Sequence, residues 1–178
     1  MDLQQLANIG EFVGAIAVIA TLLFLAVQVR QNSSVISENM KLMRARSKQM
    51  STIQYSEFTR TLIESTETAM LFQRANLSNN ISEELSETEK RVFHGLMLRA
   101  MFLFNDDHYR YKLGLTDEEE WQDNLNLLRS SYVRRPGFRH WWVFGTAPGQ
   151  AGKEFFGARF VTFINQEIEN EAQNSADA

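Results

Sequence analysis

The chain has no cysteine, which excludes disulfides, thiolate metal sites and cysteine nucleophiles. It has two prolines in 178 residues, and neither Pro nor Gly occurs between Ser33 and Arg74. That stretch therefore carries no strong helix breaker. No run of period-two alternation and no internal repeat stands out, so the fold class expected is all-α. Lys and Arg are missing from the whole N-terminal stretch before Arg30. A net charge of -4 argues against a general nucleic-acid partner. Three histidines, His94, His108 and His140, are the only side chains whose ordinary pKa suits acid–base work near neutrality. None sits in an H-E-x-x-H or Glu-x-x-His pattern, and no P-loop, G-x-G-x-x-G or G-x-S-x-G motif is present. No metal, cofactor or catalytic residue is implied, and the chain is not expected to be an enzyme.

What the chain does have is FVGAIAVIATLLFLAVQV, Phe12 to Val29, without a single charge. As a helix it is about 27 Å long at roughly 1.5 Å per residue, near the ~30 Å hydrocarbon thickness of a bilayer. The expectation is a single transmembrane helix. Asp2 and Glu11 precede it, whereas Arg30, Lys41, Arg44, Arg46 and Lys48 follow it. Positive charge stays inside, so the N-terminus is expected outside a cell inner membrane and the rest in the cytoplasm, with membrane lipid as a partner. The basic n-region and A-x-A site of a cleaved signal peptide are both missing.

One face of this helix carries Gly10, Gly14, Ala17, Thr21, Phe24 and Gln28 at alternating spacings of four and three. Small residues let two helices approach closely in lipid, and a carboxamide near the membrane edge can bond across to its copy. Helix pairing through Gly10, Gly14, Ala17, Thr21 and Gln28 follows, giving a homo-oligomer or a pairing with another membrane protein.

After the span, Ile36, Met40, Met43, Met50 and Ile53 keep near-helical spacing, and Met is a common gap-filler in core or oligomer contacts. The division expected is 1–32 for the N-terminal tail and transmembrane helix, 33–75 for a long juxtamembrane helical region, 76–169 for a small helical domain and 170–178 for a disordered tail. Helix, broken at most once, should reach about Arg74, with a loop from Asn76 to Ser82. Ser86 and Glu89 form a capping box ahead of the apolar VFHGLMLRAMFLF, a helix expected to end at Gly114. Thr116 and Glu119 repeat that spacing ahead of Trp121, Leu125, Leu128 and Tyr132. Pro136 suits the first turn of a short helix holding Phe138, Trp141, Trp142 and Phe144. A last helix of about 16 residues is expected to contain Phe155, Phe156, Phe160, Phe163, Ile164 and Ile168.

NIGEFVGAIAVIATLLFLAVQVRQN, LSETEKRVFHGLM, YKLGLTDEEEW and RRPGFRHWW together resemble a group of uncharacterised bacterial proteins with one N-terminal membrane helix and an all-α cytoplasmic domain. The resemblance covers most of the chain and implies architecture only. VFGTAPGQAGKEFFG, after Trp142, departs from the group's more helical pattern.

Arg134, Arg135, Arg139 and His140 surround Pro136 and Gly137 and lead into Trp141 and Trp142. Guanidiniums beside a helix N-terminus can hold a phosphate, a carboxylate or a lipid headgroup. The competing reading has these arginines paired with the acidic run Asp117 to Glu120 and the tryptophans in the core. His108 shares a stripe with Phe93, Met97, Met101, Phe104 and Tyr111, as a core histidine would. The function expected is a self-associating membrane-anchored scaffold or interaction subunit. A small oligomeric channel lined by Thr21 and Gln28, or an anionic-ligand or lipid-binding protein, are the alternatives.

Overall fold

The computed structural model describes residues 2–147 and 150–176. The chain is all-α, with no strand among the described residues. Helix α1 runs Leu3–Ile63, α2 Thr66–Leu77, α3 Ile81–Glu84, α4 Glu87–Lys112, α5 Glu118–Leu128, α6 Pro136–Phe144 and α7 Ala158–Ala176. A π-turn, Arg129–Val133, follows α5, and a 3₁₀ turn, Gly152–Phe155, precedes α7. Two compact units divide inside α1, Met1–Ala45 and Arg46–Ala178. Asn32, Ser33 and Ser34 do not interrupt α1; the Ser33 hydroxyl donates to the Val29 carbonyl at 2.9 Å and so stays within the helix.

In the second unit the helix boundaries follow local chemistry. Ser65 caps α2 by accepting from the Thr68 N–H at 3.1 Å. Ser86 and Glu89 form the expected capping box, the Ser86 N–H donating to Glu89 at 2.8 Å. That donor, with the Ser86 hydroxyl and Arg74, pulls the Glu89 carboxyl down to about 2. Helix α4 ends as expected at Gly114, whose φ of 70° is open to a residue without Cβ.

Four boundaries differ from the sequence expectation. Asp117, not Thr116, caps α5: its carboxylate accepts from the Glu120 N–H at 2.9 Å, and an anion at a helix N-terminus is favoured over a hydroxyl by the dipole. The loop expected over Asn76 to Ser82 is shortened by α3, which plants Ile81 in the core. Phe155 and Phe156 lie before the last helix rather than in it. The tail expected to be disordered from Asn170 is helical to Ala176, because Glu171 is buried and paired; Asp177 and Ala178 lie outside the described residues.

The core forms where α6 turns one face inward. Gly137, Phe138, Trp141 and Trp142 are buried, and a Cβ on Gly137 would fall 1.8 Å from the Ala75 carbonyl oxygen, so α2 and α6 meet backbone to backbone. Trp142 packs on Phe138, Phe156 and Phe160, and its indole N–H donates to Asn165 at 2.9 Å. The segment after Trp142 is built around two glycines. Gly145 takes a φ of 75° at the end of α6, and Gly152 lies under the Trp141 ring, where a Cβ would sit 2.5 Å away.

Candidate functional site

Along the first unit, α1 is long and apolar enough to cross a membrane: an 18-residue window has a mean hydropathy of 2.5, with none of it buried. Phe12, Leu22, Leu23 and Phe24 are each at least 60% exposed. Gly10 and Gly14 have open space where a Cβ would stand, and Ala17, Thr21 and Gln28 are exposed on the same helix. The Thr21 hydroxyl donates to the Ala17 carbonyl at 2.8 Å, which satisfies its proton within the helix and leaves the face smooth. The five residues expected to pair helices thus lie along one uncovered row.

Within the second unit, the Arg134–His140 cluster is not one site. Arg134, Arg139 and His140 line a depression of about 400 Å³ with Pro136, Val143 and Phe144. Arg135 opens on a different cavity of about 290 Å³, beside Phe72, Asn76 and Leu77. Arg134 is held by Glu171, Nε donating to the carboxylate at 2.7 Å, and this bond keeps the Glu171 carboxyl below its usual range. Arg139 donates from Nε to the Val133 carbonyl at 2.7 Å. Pairing of Arg134 with the run Asp117 to Glu120 is not what forms. Asp117 is spent on its cap, Glu118 accepts from the Tyr111 hydroxyl at 2.7 Å and Glu120 faces Lys48 at 4.0 Å.

The π-turn explains the partner on α7. Its defining bond runs from the Arg134 N–H to the Arg129 carbonyl at 3.1 Å, which sets residues five apart on one side of the turn. Arg129 and Arg134 therefore both face α7, where Glu167 and Glu171 stand one α-turn apart, and each arginine grips its own glutamate. Glu167 and Glu171 are both buried.

A polar centre that the sequence expectations missed lies between α1, α4 and α5. Asp107 is 2% exposed; it accepts from the Ser51 hydroxyl at 3.1 Å, the Tyr55 hydroxyl at 2.8 Å and the Asn124 amide at 3.3 Å. Arg110 pairs with it at 3.2 Å and also donates to the Ser47 carbonyl at 2.9 Å. Burial raises the Asp107 carboxyl above its usual range, against the pull of Tyr55, Arg110 and Ser51, and burial likewise pushes the Tyr55 phenol up. The signal was available: Phe93, Met97, Ala100, Phe104 and Asp107 recur at spacings of four and three, which puts Asp107 on the buried stripe of α4. Its partners come from α1, α4 and α5, and the carboxylate ties those three helices together.

Each histidine ring packs against an aromatic side chain. His94 accepts the Trp141 indole N–H at Nδ1, 3.0 Å away. His108 is half-buried and stacks on Phe163 with ring centroids 4.6 Å apart. Burial lowers the pKa of all three. Among the described residues no group of three or more His, Cys, Asp or Glu could hold a metal ion. No protein-family model, curated protein or solved structure matches the chain.

Proposed function

We propose that the chain is a single-span inner-membrane protein, N-terminus outside and helical unit in the cytoplasm, that self-associates and serves as a scaffold or interaction subunit. The observation that carries this reading is the apolar window of α1, no part of which is covered, beside a second unit that has a core of its own. An uncovered apolar helix of that length is stable in lipid and not in water. The basic residues from Arg30 to Lys48 suit anionic headgroups on the cytoplasmic side, and the row of Gly10, Gly14, Ala17, Thr21 and Gln28 suits a second helix.

The absence of cysteine makes the test direct. In intact bacteria, a membrane-impermeant maleimide is expected to label Asn8→Cys and to leave Glu154→Cys unlabelled until the cells are opened. The opposite pattern reverses the orientation, and release of the chain by alkaline carbonate removes the membrane reading. Gly14→Ile or Ala17→Ile is expected to reduce the oligomer in mild detergent to monomer. Liposomes carrying the chain are expected to show no more ion flux than empty ones; a flux abolished by Thr21→Leu or Gln28→Leu would replace the scaffold with a small channel.

A further inference from the structure

Past the apolar segment but still in the first unit, α1 keeps a patch that water should not favour. Val35, Ile36, Leu42 and Met43 are 50 to 63% exposed. On a helix these four are the neighbours at minus four, minus three, plus three and plus four of one residue, Asn39, which is itself exposed. The arrangement repeats seven residues earlier, where Asn32 is ringed by Gln28, Val29, Val35 and Ile36. A polar amide framed by four mostly apolar side chains, recurring every seven residues, is the pattern of a coiled-coil seam with asparagine at its centre. The outer row of that seam, Val35 and Leu42, continues in sevens from Gly14, Thr21 and Gln28.

We infer that a second copy of this chain covers the patch, the two α1 helices running parallel and in register with Asn32 facing Asn32 and Asn39 facing Asn39. This rests on the membrane-anchored, self-associating reading above. The occupant follows from three features. The seven-residue repeat matches another helix, which returns to the seam every two turns, rather than a sheet or a globular groove. An asparagine amide carries both donor and acceptor, so it is complementary to its own copy across a two-fold axis. Two chains inserted by the same segment in one membrane enter with the same polarity, which brings like residues to the same depth. The apolar rows hold the pair together; the two amides reject other registers, because a slipped seam sets each amide against Ile36 or Met43 with its hydrogen bonds unmade.

Single-cysteine variants of the full chain, oxidised in native membranes, test this. A disulfide needs Cα atoms within about 7 Å, so only seam positions can bridge like to like. Asn32→Cys and Asn39→Cys are expected to give disulfide dimers at least tenfold above Ser37→Cys and Lys41→Cys, which lie on the opposite side of the helix. Dimers at Ala17→Cys with Asn39→Cys no better than Lys41→Cys would overturn the seam and leave self-association standing. No dimers from any of the five would take down both. Because Asn39→Cys removes the amide it probes, Asn39→Val in the Asn32→Cys background isolates its role: the in-register dimer is expected to fall severalfold, and an unchanged yield would deny Asn39 any part in setting register.

Discussion

A methyl group added at residue 137 and one added at residue 95 have opposite expected consequences. Gly137→Ala drives a Cβ to 1.8 Å from the Ala75 carbonyl oxygen; backbone on both sides cannot yield, and a loss of about 3 kcal/mol is expected. Gly95 is exposed within α4 and has nothing within 4 Å of an added Cβ, so Gly95→Ala is expected to stabilise by about 0.5–1 kcal/mol through the unfolded chain. All three tryptophans lie in the second unit, so their fluorescence in a urea titration reads both changes there. Asp107→Ala takes the acceptor from the Ser51 and Tyr55 hydroxyls, while Arg110 keeps Asp106 and the Ser47 carbonyl, and is expected to cost about 2–3 kcal/mol in the same titration. Acid should act through the histidines and Glu171. The folded-state pKa of His94, His108 and His140 is lowered, so their contribution is present above the ordinary histidine pKa and is lost as pH falls below it. Glu171, also lowered, loses its contribution further down. The melting temperature is therefore expected to drop between pH 7.5 and 5.5, and His94→Gln, which cannot take up a proton, should flatten that slope.

At the scale of elements, the π-turn is where local geometry decides tertiary pairing. Inserting an alanine between Ser130 and Ser131 would set Arg129 and Arg134 six apart and swing Arg134 by about 100° away from Glu171, breaking that ion pair. The expected result is a lower melting temperature and earlier exchange of α7 amides, while those of α4 keep their protection. Elements with side-chain signals were legible in the sequence: the Ser86 and Glu89 capping box, Gly114 at the end of α4 and Pro136 at the head of α6 all stand where their chemistry puts them. Asp117 displaced Thr116 because two cap formers stood side by side and only the backbone could choose. The π-turn left no signal, since an extra residue in a helix changes no residue type. Its reason lies on α7, in two glutamates that a local window does not include.

Over the whole molecule, the all-α class and the long apolar helix could be read from breaker-free composition and the charge-free run. The Arg134–His140 cluster was legible as residues but not as a site, because adjacency in sequence spreads over two cavities once α6 turns. The burial of Asp107 could be read from the α4 stripe but its partners could not, for the converse reason: Ser51 and Tyr55 come from α1 and Asn124 from α5. The two units meet within α1, between Ala45 and Arg46, and not at a loop. Lys41, Arg44, Arg46 and Lys48 crowd that junction, so trypsin has ample sites there but no extended chain to grip. A protease must wait for α1 to unwind, and cleavage at the junction then clocks the opening of one helix rather than the reach of an enzyme.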